Sequence, residues 1–326
     1  MKRRHVLCGI ATSFLALLHS SRLRAQSSVK VTVIGLLDAG ERVEWWDAFR
    51  QQLRDLGLVE GRNVRFEQRC AKANLDPLPG LARELVQLKV SVIVTAGAAA
   101  ALAAQRVTRT IPIVMATGSD QVGLGLAASL ARPGGNVTGV STLTPDLMAK
   151  RFELLREVVP KSTRLAALWH ADNVPSGASV RELDGAAAKA RVAFRSFGVR
   201  SAEELTDAFS EMSRERIDAL IVVGSPLTYD VRKKIVDLAF KHKIPAMYGG
   251  SEYAEAGGLL SYAPSYPEMF RHAAIYVNKI LKGANPADMP IEQATMFELV
   301  INANTARGIG VSIPGAILAR ANRVIQ

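Results

Sequence analysis

The stretch SDQVGLGLAASLARPGGNVTG, from Ser119 to Gly139, contains Gly123-x-Gly125-x-x-Ala128, the residue types of a dinucleotide-binding turn. Such a turn works only when its first glycine ends a strand, so that the chain reverses at once and sets a pyrophosphate on a helix N-terminus. The preceding apolar run, IPIVMA, ends near Ala116, about seven residues too early for that chemistry. The two glycines are expected instead at the start of, or inside, an apolar helix over LGLAASLA, where missing side chains permit close packing. Other reactive types are equally dispersed. The five histidines show no H-E-x-x-H spacing, no serine sits in a G-x-S-x-G turn, and the acids are scattered over helix faces. No catalytic set, metal site or cofactor is expected.

What remains suits reversible binding. Serine hydroxyls and backbone N–H groups at helix starts can hold a carboxylate without a formal cation, an aspartate can hold an ammonium, and Trp or Tyr can face a ring. The candidates end apolar runs: Asp38; Ala96, Gly97 and Ala98; Ser119 and Asp120; Trp169, His170 and Asn173; Ser225; Tyr248 and Ser251. Asp38, Asp120 and Ser251 are as well suited to capping the helices that follow them. Trp46 falls on an apolar helical stripe and is expected in a core.

The elements that must position these residues alternate in type. VTVIGLL reads as a strand, and Val43, Trp46, Phe49, Leu53 and Leu56 behind it recur at helical spacing. NVRFEQ, SVIVTA and IPIVMA are further strands; Leu78, Leu81, Leu85 and Leu88 give one helix face, and an Ala-rich helix follows SVIVTA. The order restarts with a helix from Leu147 to Val158, then RLAALW, an Ala-rich helix, a strand near Val192 to Phe197, a helix from Glu203 to Met212, DALIVV, a helix from Val231 to Phe240, and PAMY. This is an α/β pattern with parallel sheets. The halves also resemble each other. VIVTAGAAA followed by IPIVMATGSD matches LIVVGSPLT followed by IPAMYGGSEY, so Gly118-Ser119 and Gly250-Ser251 take equivalent places. Two similar lobes would then offer matching loops at the carboxyl ends of their strands, where open α/β sheets bind ligands.

The N-terminus has a different character. Three cations near Met1, the 13-residue apolar run from Val6 to Leu18 and the polar end RLRAQ follow the order of a secretory signal peptide, residues 1–25, cleaved after Ala25. The run is short of the roughly 20 residues that a spanning helix takes, so no stable membrane insertion is expected. Arg3-Arg4 leaves both the Sec and the twin-arginine routes open. Removal of Lys2, Arg3, Arg4, Arg22 and Arg24 takes the net charge from +11 to +6, with no dense basic cluster, and nucleic acid is not an expected partner. Cys8 leaves with the leader, which isolates Cys70 and excludes an intrachain disulfide.

Several stretches, AFRQQLRDLGLVEGRNVRFEQR, LARELVQLKVSVIVTAG, ARPGGNVTG, AGGLLSYAPS, ILKGANPADMP and IPGAILARANRVI among them, resemble ABC-transporter substrate-binding proteins related to tryptophan- and phenylalanine-binding members. The resemblance runs from Val31 to Ile325. It implies the type I periplasmic-binding fold: two Rossmann-like lobes with parallel sheets joined by three crossovers, with no catalysis. On that analogy lobe 1 comprises residues 29–139 and 263–288 and lobe 2 residues 142–260 and 291–326, with VTGVST, LLSYAP and ADMPIEQ as the crossovers. The implied protein is a periplasmic monomer that closes over a small carboxylate-bearing ligand, an amino acid or an aromatic acid, and delivers it to an ABC transporter permease. A ligand-sensing partner of a receptor would share fold and cleft and stays open beside transport, with a dinucleotide-dependent enzyme as the remaining alternative. Gln121 departs from the family pattern, which usually has proline after the aspartate, and KARVAFRSFGVRS lacks the usual glycine turn.

Overall fold

Short β-branched runs alternate with amphipathic stretches along most of the chain, and the computed structural model, which describes residues 31–142 and 145–326, turns them into strand–helix units. The expected leader lies outside the described residues. The first series is β1 (Thr32–Asp38), α1 (Val43–Asp55), β2 (Val64–Cys70), α2 (Leu78–Gln87), β3 (Val92–Ala96), α3 (Ala98–Val107), β4 (Ile113–Thr117) and β5 (Val137–Ser141). A second series follows: α4 (Pro145–Val158), β6 (Arg164–His170), α5 (Val174–Lys189), β7 (Ala193–Val199), α6 (Leu205–Arg214), β8 (Ala219–Val222), α7 (Pro226–Asp230), α8 (Arg232–Lys241), β9 (Ala246–Tyr248) and α9 (Ser251–Glu255). The last is β10 (Leu260–Pro264), α10 (Tyr266–Leu281), β11 (Glu292–Gln293), β12 (Phe297–Asn302), α11 (Ala303–Ile309), α12 (Gly315–Arg320) and β13 (Arg323–Ile325).

The strands form two sheets, ordered β11-β5-β4-β3-β1-β2 and β13-β12-β10-β9-β8-β6-β7. Pairing is parallel throughout except between β10 and β12. Helices cover both faces of a parallel sheet, which is why β3, β4 and β5 are buried along their whole length and β3 and β4 read as near-continuous apolar runs. Trp46 and Phe49 of α1 meet Phe270 of α10 on the first sheet, the Trp46 ring standing edge-on to both at 5.7 and 4.9 Å. Helix α10 therefore returns from late in the chain to complete the first lobe. Three passages link the lobes: after β5, at Ser265 between β10 and α10, and between β11 and β12. They fall a few residues later than the sequence places them, since β5 runs to Ser141, Ala263 and Pro264 stay in β10, and β11 pairs with β5 in the first sheet.

The segment between β4 and β5 differs from expectation. LGLAASLA forms turns and bends, not a helix. Asp120 adopts a left-handed φ of 52°, Gly125 one of 70°, and the Leu126 and Ala127 amides both donate to the Gln121 carbonyl at 2.8 and 3.2 Å, folding the chain back on itself. Glycine's tolerance of positive φ, and not close helix packing, is what the stretch uses. On α1 the expected face is also rotated: Val43 is 67% exposed, and Trp45 is buried beside Trp46.

Candidate functional site

The carboxyl ends of parallel strands converge on one side of each sheet, and here the two sets of strand-end loops face one another across a cavity of about 150 Å³. The first lobe supplies Arg42 from the β1–α1 connection, Trp45 from the first turn of α1, Ala96 to Ala99 at the start of α3, Thr117 to Ser119 at the end of β4 and after it, and Tyr266 at the head of α10. The second supplies Asn173 before α5, Ser225 and Tyr229 around α7, Gly249 after β9, and Tyr253 of α9. Ser225 serves two purposes. Its Oγ accepts from the Thr228 amide at 3.1 Å while the Thr228 hydroxyl accepts from the Ser225 amide at 2.9 Å, a reciprocal cap that fixes the loop facing the cavity.

Of the residues singled out in the sequence, Ala96, Gly97, Ala98, Ser119, Asn173 and Ser225 meet on this wall. The others do not. Asp38 is fully buried behind the wall, and its carboxylate accepts from the Gly40 amide at 2.9 Å, from Trp46 Nε1 at 2.8 Å and from the Arg42 guanidinium, so it orients Arg42 and does not itself line the cavity. Asp120 points away from this cavity and caps the following turn, its Oδ1 accepting from the Gly123 amide at 3.1 Å. The Trp169 ring lies over Gly198 of the neighbouring strand, where a Cβ would stand 3.3 Å from it. His170 is buried at the end of β6, and burial lowers its pKa against the opposing pull of Asp172, leaving a neutral imidazole behind the cleft. Tyr248 is buried and stacks on Tyr253 with ring centroids 5.0 Å apart, so it supports a wall residue without reaching the cavity. Ser251 is the first residue of α9 and neither lines the cavity nor caps the helix, since Gly250 occupies the cap position.

The sequence reading missed the aromatic wall and its cation. Trp45 stacks on Tyr266 at 4.4 Å, tilts against Tyr229 at 4.8 Å, and carries the Arg42 guanidinium 5.3 Å from its ring centre. Adjacent tryptophans on a helix diverge by about 100°, so when Trp46 enters the core Trp45 must face elsewhere, the one signal that could have found it. Arg42 is buried, which lowers its pKa, but Asp38 and Asp230 outweigh burial and hold the guanidinium charged.

Two further contacts cross between the lobes. Trp45 Nε1 donates to Glu252 at 2.7 Å, and the Glu41 amide donates to Asp230 at 3.2 Å. Burial pushes the Asp230 carboxyl up to about 6, against the pull of Arg42 and the Glu41 amide, and burial likewise raises Glu252. Beside this junction Cys70, the free cysteine among the described residues, donates its half-buried thiol to the Gly40 carbonyl at 3.3 Å. No group of three or more His, Cys, Asp or Glu among the described residues could hold a metal ion. No helix among them is long and apolar enough to cross a membrane.

Known proteins share this arrangement. A structure from Streptococcus pneumoniae, described as an ABC domain in complex with L-Trp, is 25% identical with a TM-score of 0.84, covering 91% of this chain and all of that one. A conserved domain protein from Vibrio cholerae is 27% identical with a TM-score of 0.85, over 90% of this chain and all of the other. In sequence, the tyrosine-binding protein of Clostridioides difficile is 26% identical over 261 residues, 80% of this chain and 75% of its own length. The fold is that of type I periplasmic binding proteins, and solute binding in place of catalysis accounts for a cleft without a reactive set. Residues 30–325, both lobes and all three passages between them, match the family described as ABC transporter substrate binding protein, and the chain belongs to it.

Proposed function

We propose that this chain is an exported, monomeric receptor that closes over an amino acid with an aromatic side chain and delivers it to the permease of an ABC importer from the periplasm. One observation carries the reading: a single cavity joins an aromatic wall, Trp45, Tyr229, Tyr253 and Tyr266, to the first turn of α3. The amides of that turn, at Ala98 and Ala99, have no partners within the helix and suit a carboxylate. Ser119 adds a hydroxyl on the same side. Relatives named for tyrosine binding and solved with L-Trp support the aromatic class. The contacts from Trp45 to Glu252 and from Glu41 to Asp230 support closure, because each has one partner in each lobe and exists only when the lobes meet. The leader-like first 25 residues support export.

Calorimetric titration of the chain beginning at Gln26 tests this. L-Tyrosine, L-tryptophan and L-phenylalanine should bind with micromolar or tighter Kd, with L-leucine at least about tenfold weaker, a step of roughly 1.4 kcal/mol. Heat from leucine or a sugar with none from the aromatic amino acids would remove the aromatic reading.

A further inference from the structure

The cleft is small for its ligand. A 150 Å³ apolar cavity holds a benzene-sized group, and pockets for ordinary small molecules span about 300–1,000 Å³. A second chamber of about 470 Å³ adjoins the first and shares Ser119, Thr142 and Pro175 with it. One side of this chamber is the turn segment that replaces the expected helix, and the other is α5 with Ala178, Arg181 and Glu182. Gln121 belongs to its wall, is 1% exposed, and has its side-chain oxygen engaged by the Ser141 hydroxyl at 2.8 Å. Its amide nitrogen has no acceptor. That nitrogen lies 3.5 Å from where a Cβ on Gly118 would stand, at the junction of the two chambers. A buried donor without a partner is costly, and such a donor at a chamber wall marks the place where a ligand acceptor belongs.

We infer that the ligand extends past Ser119 into the second chamber, where Gln121 donates to a carbonyl, which makes the ligand an N-acylated aromatic amino acid, in its simplest form a dipeptide with an aromatic C-terminal residue. This rests on the aromatic reading of the cleft. The aromatic residue and its carboxylate fill the first cavity, and the N-terminal residue leaves by the opening towards α5. Asp120 and Glu182 on the second chamber suit the ammonium of that residue, and Arg181 an acidic side chain on it.

Glycyl-L-tyrosine and L-tyrosine, titrated in parallel into the chain beginning at Gln26, decide the matter. The dipeptide should bind at least tenfold more tightly. Gln121→Leu, which keeps the volume and removes the donor, should erase that advantage and leave the tyrosine affinity unchanged. Ala178→Trp, which fills the second chamber from a half-buried position on α5, should do the same if Gln121→Leu folds poorly. Tyrosine binding as tightly as the dipeptide, or both variants keeping the dipeptide's advantage, overturns the extension and leaves the aromatic reading standing. Silence of both probes overturns the two together.

Discussion

Asp230 is a carboxylate that the meeting of the lobes holds away from water, and its chemistry gives binding a pH dependence. In the closed arrangement burial raises its pKa from 3.8 to about 6, and in an open one it would return to solvent and its ordinary value. The closed form then binds the proton more tightly than the open form. The penalty on closure is fully present above pH 6 and is relieved as pH falls through 6 towards 4. Glu252, also raised by burial, acts in the same direction. Ligand affinity should therefore rise severalfold between pH 7 and pH 5, and Asp230→Asn should flatten most of that slope. An affinity falling over the same interval would contradict the assignment. At this scale the sequence was half legible. Ala96, Gly97, Ala98, Ser119, Asn173 and Ser225 could be found because strand-end loops obey a topological rule. Arg42, Tyr229 and Tyr266 could not, because lobe closure brings them to the cavity and leaves no local pattern, and Trp45 was legible only through its helical offset from Trp46.

Strands and helices were read more fully than side chains, since the parallel sheets demand long apolar runs and supply their own signal. The exception, LGLAASLA, shows the limit: apolar residues at helical spacing were buried by a chain reversal, with Asp120 and Gly125 at positive φ. Short α7 was also missed, because five residues carry no periodicity. One element depends on a single glycine. Gly139 of β5 has φ 129°, and a Cβ there would stand 2.6 Å from the Met115 nitrogen of β4 and closer still to its oxygen. Gly139→Ala must separate the strands that lead into the first passage between lobes, adding overpacking to backbone strain. The cost should be about 3 kcal/mol or more, a loss of at least about 5 °C in Tm. Gly135→Ala, with open space around its Cβ, is the control and should melt like the parent. Equal melting of the two variants would show that β5 can shift.

Across the whole molecule, three passages between two lobes form a natural hinge, and the contacts of Trp45 with Glu252 and of Glu41 with Asp230 join the lobes beside the cavity. Small-angle scattering should give a smaller radius of gyration with saturating ligand than without. Trp45→Phe keeps the ring against Tyr266 and removes the donor to Glu252, so it should weaken the compact state and lower affinity about tenfold or more. An unchanged scattering profile across a verified binding transition would mean that the lobes do not move.

Cys70 gives this motion a practical outlet. Its thiol touches Gly40, and a Cβ on Gly40 would lie 3.0 Å from Asp230 of the opposite lobe. With the leader removed, no other cysteine competes for a maleimide dye. Burial raises the thiol's pKa, so labelling would be slow at neutral pH and quicker in mildly alkaline buffer. The fluorophore would then sit where the lobes meet, and the native chain would serve as an optical biosensor for its own solute without an engineered attachment point.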